Sequence, residues 1–117
     1  MIPTAAPFAA LRQEHVDRLE SELPRIVERL KELGAERVIL FGSYARGRRD
    51  YFTDLDLIVI MESDLSFVQR LAYIRREVSP AVETDLLVYT PNEFESIKER
   101  RFFRHALSDA QVLYARR

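Results

Sequence analysis

The sequence predicts a single α/β domain, and three observations carry that reading. Apolar residues recur at helical steps of three and four over residues 19–33 and again over 67–78. Three short stretches, 37–41, 54–61 and 82–89, are instead apolar with period-two alternation or bounded by turn residues, as strands are. At 117 residues with 47% hydrophobic content, the chain has enough apolar material for one core and too little for two.

Residues 1–9, with Pro3 and Pro7 among small residues, predict an irregular N-terminal arm. Leu19, Leu23, Ile26, Leu30 and Leu33 then form one apolar helical stripe that Gly34 is placed to end. Pro24 should kink this helix or start a second one, because it lacks the backbone donor and crowds the preceding turn. His15, four residues before Leu19, reads as a packed or interfacial histidine. Arg37–Phe41 is the first strand, and Ser43–Arg49 opens a short helix. Asp54–Met61 is the second strand, with Asp54, Asp56, Ile58 and Ile60 on one face and Leu55, Leu57, Val59 and Met61 on the other. Phe67, Leu71, Ile74 and Val78 mark a helix stopped at Ser79-Pro80. Val82–Tyr89 is the third strand, with Glu83, Asp85, Leu87 and Tyr89 on one face. Helix restarts at Pro91, breaks near Arg101 and runs to Leu107, and Gln111–Ala115 can add a short edge strand.

Charge is nearly balanced, with 18 basic and 19 acidic residues, so no net field favours a nucleic-acid backbone or an anionic membrane. Only Lys31 and Lys98 are lysines, which leaves 16 arginines, the side chain suited to bidentate contact with phosphate and carboxylate. Cysteine is absent, which excludes disulfides and thiolate chemistry. No stretch nears the roughly 20 apolar residues of a membrane span. The expectation is a soluble, cytoplasmic protein.

The chemistry concentrates between Gly42 and Asp85. Asp54 and Asp56 are one residue apart on a strand, so both carboxylates face the same way, next to the apolar Ile58 and Ile60. Desolvated carboxylates are costly without a cation, and hard oxygen ligands suit magnesium. Asp85 is the candidate third carboxylate, with Glu83 in reserve. Gly42 and Ser43 stand where a strand turns into a helix, a place for backbone amides and a hydroxyl to hold phosphate. Arg46, Arg48 and Arg49 follow and can screen its charge. A P-loop is excluded because Arg48-Arg49 stands where Lys and Ser or Thr are required, and a calcium loop because Ile58 occupies a ligand position.

Gly42-Ser43, ten intervening residues, Asp54-Leu55-Asp56 and then Asp85 on the next strand together resemble the nucleotidyltransferase superfamily related to DNA polymerase beta. The Gly-Ser-Tyr-Ala-Arg-Gly form is most similar to its minimal nucleotidyltransferases, over about residues 20–115. Thr53 departs from the serine usual there but keeps a hydroxyl to cap the turn. The resemblance implies a mixed β-sheet flanked by helices, and transfer of a nucleoside monophosphate from a triphosphate with two Mg2+ ions. Asp54 and Asp56 would bind both metals, Asp85 the catalytic one while helping to deprotonate the acceptor, and Gly42, Ser43 and Arg46 the nucleotide.

In larger relatives a further helical domain holds the acceptor, whereas here the pattern occupies nearly all the sequence, so the resemblance implies that a homo-oligomer or a partner supplies it. It further implies an antitoxin that moves AMP from ATP to a tyrosine of a HEPN ribonuclease toxin. The alternatives are an antitoxin that merely masks the toxin and a transferase acting on RNA or a small molecule. Phe94, Phe102, Phe103 and Tyr114 are candidate contact residues, against core packing as their competing explanation.

Overall fold

Strands β1 (Arg37–Phe41), β2 (Leu55–Ile60), β3 (Thr84–Tyr89) and β4 (Gln111–Ala115) form one sheet in the order β3-β2-β1-β4. β1 runs antiparallel to both β2 and β4, and β2 runs parallel to β3, so the sheet is mixed. The computed structural model describes residues 5–117, with side chains from Pro7 onward. Five helices accompany the strands: α1 (Ala5–Glu32), α2 (Gly42–Ala45), α3 (Phe67–Val78), α4 (Pro91–Ile97) and α5 (Arg101–Ser108).

Period-two alternation divides the core between the two sheet faces. Val38, Leu40, Leu55, Leu57, Val59, Leu86 and Val88 point to one face and pack with Leu19, Ile26 and Leu30 of α1 and Ile74 and Val78 of α3. Ile39, Ile58 and Ile60 point to the other, beneath Phe94 of α4 and Phe103 of α5. The faces predicted for β2 are thus the observed ones. Asp54 and Asp56 share the side of Ile58 and Ile60, at the rim where the α4–α5 layer ends.

Two expectations about the N-terminal region are corrected. Helix begins at Ala5, so the predicted irregular arm is helical over residues 5–9, while residues 1–4 lie outside the described residues. Pro7 is only the third helical residue, where a missing N–H removes no intrahelical bond, and the neighbouring alanines favour helix. Nor does Pro24 divide the helix, which is continuous from Ala5 to Glu32. Interior proline costs about 3 kcal/mol, yet Leu19, Ile26 and Leu30 on either side of it are fully buried at roughly 1.5–3 kcal/mol each. The apolar stripe stays in phase, and packing offsets the lost bond.

Local signals set the other boundaries. Ser66 and Gln69 form a capping box at the start of α3, and Ser79 ends it in the left-handed region at φ 44°. Thr90 and Glu93 form a second box at α4, with Pro91 in the first turn. Glu93 also pairs with Arg70 of α3, a residue 3% exposed, whose Nη1 donates to Glu93 Oε1 at 2.7 Å and to the Val88 carbonyl at 2.9 Å. Arg70 Nη2 donates to the Leu65 carbonyl at 3.0 Å. This one guanidinium joins α3, β3 and α4. No helix among the described residues is long and apolar enough to cross a membrane.

Arg70→Ala should therefore lower the free energy of unfolding by about 3 kcal/mol, since it strands a carboxylate and two carbonyls, whereas Glu93→Gln should cost about 1 kcal/mol. Urea denaturation of the two variants beside the parent measures both.

Candidate active site

The turn after β1 is fixed by what lies under it. Antiparallel pairing sets Phe41 opposite Asp56, so the next residue, Gly42, closes over the Asp56 side chain. Gly42 has φ +78°, and a Cβ there would sit 2.1 Å from Asp56 Oδ2. Backbone angle and space both demand glycine. Ser43, half-buried, follows in α2, which ends at Ala45 rather than continuing to Arg49 as predicted, because Gly47 turns to φ +95°.

The loop from Arg48 to Asp54 is built of its own hydrogen bonds. Asp50 Oδ1 accepts from the Phe52 amide at 2.9 Å, and the Thr53 hydroxyl accepts from the Asp50 amide at 3.0 Å. Thr53 is fully buried and supplies the turn cap expected of a hydroxyl at that position. From α1, His15 Nε2 donates to the Thr53 carbonyl at 2.7 Å, immediately before Asp54. Arg48 is held by Asp50 at 2.6 Å. Arg49 lies 3.5 Å from the Tyr44 ring centroid and donates to the Tyr44 carbonyl at 2.8 Å. Two of the three loop arginines thus brace the loop, and the exposed Arg46 is the one whose charge favours the ionised Asp56.

Parallel pairing of β2 and β3 places Asp85 directly beside Asp56, which selects Asp85 over Glu83 as the neighbouring carboxylate. Burial is the largest influence on Asp56 and pushes its carboxyl up from 3.8 to about 6. A hydrogen bond to Asp85, and the charges of Asp85 and Asp54, act in the same direction. Below about pH 6, where Asp56 carries its proton, it is the group placed to donate to Asp85. Asp54 opens on a separate cleft, which it lines with Glu83, His15, Arg18, Tyr51 and Phe52.

Among the described residues, no group of three acidic or histidine side chains is assembled to hold a metal ion. The expected convergence of three carboxylates is therefore not assembled: Asp56 and Asp85 stand side by side on neighbouring strands, while Asp54 opens on the other cleft. Like charges brought together without a counter-ion raise the proton affinity of the more buried one, and here that is Asp56. Their chemistry fits a hard divalent cation, which Asp54, Asp56 and Asp85 could hold while remaining ionised. Of the four candidate contact aromatics, Phe94 and Phe103 are core residues and Tyr114 is half-buried against the α1 face, whereas Phe102 is 56% exposed. The link from His15 to Thr53 spans 38 residues and leaves no local sequence signal.

Comparison with known proteins follows the same lines. Residues 23–108 match the sequence pattern of the nucleotidyltransferase domain family. A Methanocaldococcus jannaschii protein, provisionally named a protein adenylyltransferase, is 29% identical over 79 residues, which cover 68% of this chain and 78% of that one. A crystal structure of a provisionally assigned nucleotidyltransferase from Sulfolobus solfataricus superposes with a TM-score of 0.55, covering 98% of this chain and 91% of its own. At 15% identity that likeness speaks to the fold.

Two outcomes follow from this geometry. Asp56 binds its proton more tightly folded than unfolded, so its contribution to stability is present below about pH 4 and is lost as pH rises through 6. Without added metal, Asp56→Asn should melt above the parent at pH 8, and the gap should close as pH falls from 6 to 4 in paired thermal scans. Gly42→Ala should destabilise by about 2 kcal/mol or more, and Asp56→Ala in the same chain should restore part of it by removing the clashing carboxylate, a coupling that a double-mutant cycle reads.

Proposed function

The chain belongs to the nucleotidyltransferase domain family, and from that premise we propose that it transfers AMP from ATP to a hydroxyl of a partner protein. The observation that carries this reading is the side-by-side register of Asp56 and Asp85, next to Asp54 and under the Gly42-Ser43 turn. Protein and adenylyl are drawn from the provisional name of the M. jannaschii relative. The resemblance to minimal nucleotidyltransferases adds the partner, a HEPN-type ribonuclease toxin modified on a tyrosine, and makes this chain its antitoxin.

The residues take the following parts. Gly42 and Ser43 present amides and a hydroxyl to the β- and γ-phosphates, with Arg46 beside them offsetting negative charge. Asp54, Asp56 and Asp85 would hold Mg2+, which when bound supplies charge stabilisation for the entering and leaving oxygens. The acceptor oxygen bonds to the α-phosphorus as the bond to the β-phosphate bridge breaks, and pyrophosphate departs with the electron pair. Asp85 accepts the acceptor's hydroxyl proton. His15 holds Asp54 in place through the Thr53 carbonyl.

A second reading, masking of the partner without catalysis, draws on the exposed apolar group Phe8, Leu11, Tyr51 and Phe52 beside the Asp54 cleft. Incubation with ATP labelled at the α-phosphate, magnesium and the toxin should transfer label to the toxin, and Asp54→Asn should lower the rate by about a hundredfold or more. Full neutralisation of the toxin by Asp54→Asn would instead establish masking.

A further inference from the structure

The two edges of the sheet are defended differently. β3 carries Asp85 and follows directly on Glu83, whereas β4 reads Gln-Val-Leu-Tyr-Ala, with no charged residue and no proline, and pairs with β1 alone. An open strand edge is a template for another strand unless charge, proline or distortion blunts it. The one distortion in β4 is a bulge: its register with β1 skips Leu113, so Leu113 and Tyr114 both turn to the α1 side, while Val112, 56% exposed, faces the other way. Beside that edge lies an apolar cleft of about 340 Å3 between α1 and β4, lined by Leu23, Pro24, Val27, Glu28 and Leu113.

Charge along this edge has a direction. Asp109 stands just before β4, as the C-terminal cap of α5, and Arg116-Arg117 stands just after it. An acid at a helix C-terminus meets the negative end of the helix dipole. Among the described residues Asp109 has no cationic partner and Arg117 no carboxylate, whereas Arg116 is held by Glu36. Leu113 is equally far along the chain from Asp109 and from Arg117. An antiparallel second copy of the strand, centred on Leu113, therefore sets each Asp109 against an Arg117, while a parallel one sets like charge on like.

We propose that β4 is a self-association edge, on which a second copy of this chain adds its own β4 antiparallel, to give a two-fold dimer with one continuous eight-stranded sheet. The two-fold axis runs perpendicular to the sheet, so both α1 helices lie on one face. Their clefts meet over the seam, where Leu23, Val27 and Leu113 of each copy close on their counterparts. β3 stays at the outer edges, and both acid pairs remain open to a further protein. A five-residue strand with one cleft gives an interface below about 1,200 Å2 in total, the size of contacts that form in the micromolar range.

Sedimentation velocity over a concentration series tests the dimer, and charge reversal tests its arrangement. The parent should shift from the mass of one chain to that of two by about 200 μM. Asp109→Arg and Arg117→Asp should each weaken association by about tenfold, and the two reversals combined in one chain should restore it. Arginine is welcome at a helix C-terminus, so Asp109→Arg keeps its fold, and an unlowered melting temperature verifies this. A parent of single-chain mass throughout, a dimer indifferent to both single reversals, or a double variant no tighter than the singles would each overturn the proposal. A parent that is monomeric alone but loses co-elution with the toxin on Asp109→Arg would assign the edge to that partner instead.

Discussion

The contact between the Gly42 backbone and the Asp56 carboxylate is the constraint on which this site depends. It can exist only because β1 is antiparallel to β2, with Phe41 opposite Asp56. It demands a residue without Cβ in the left-handed region, and it brings the Gly42-Ser43 turn against a carboxylate. The parallel β2–β3 pair then adds Asp85 on the far side of Asp56. Turn, first acid and second acid are thereby consecutive across three strands, and their spacing is the spacing of the sheet, about 4.8 Å per strand.

Helix α1 turns this arrangement into a rigid one. Its apolar stripe packs on one sheet face, and two of its polar residues reach the entrances of the two acid-bearing strands. His15 holds the Thr53 carbonyl before β2, while Glu22 accepts from the Ala81 amide at 2.6 Å before β3 and is itself held by Arg25. Arg25 lowers the Glu22 carboxyl below its usual range, so this tie stays charged well into mild acid. A single element therefore aligns both strands at the ends where the carboxylates emerge.

Much of this was readable in the chain itself, for identifiable reasons. Strand faces followed from period-two alternation, so the side shared by Asp54, Asp56, Ile58 and Ile60 was available from spacing alone. α3 and α4 carried capping residues and prolines at their ends. What escaped was non-local or depended on competition between terms. Pro24 reads as a break until the burial of Leu19, Ile26 and Leu30 is weighed against it, and the first turn hides the cost of Pro7. The division of the carboxylates between two clefts, with Glu83 beside Asp54 and Asp85 beside Asp56, follows from strand register, which sequence does not state. His15, read as a packed or interfacial residue, makes a contact to the Thr53 carbonyl that no pattern announces.

β3 lies at the edge of the sheet, paired on one side only, and Asp85 is its second residue. Edge strands loosen before central ones. Fraying of two or three residues there would separate the acid pair while β1, β2 and both apolar layers stayed intact. The consequence is a protein whose chemistry is less durable than its architecture: on heating, turnover is expected to vanish before cooperative melting begins, and inactivation and melting curves recorded on one sample would show two midpoints rather than one.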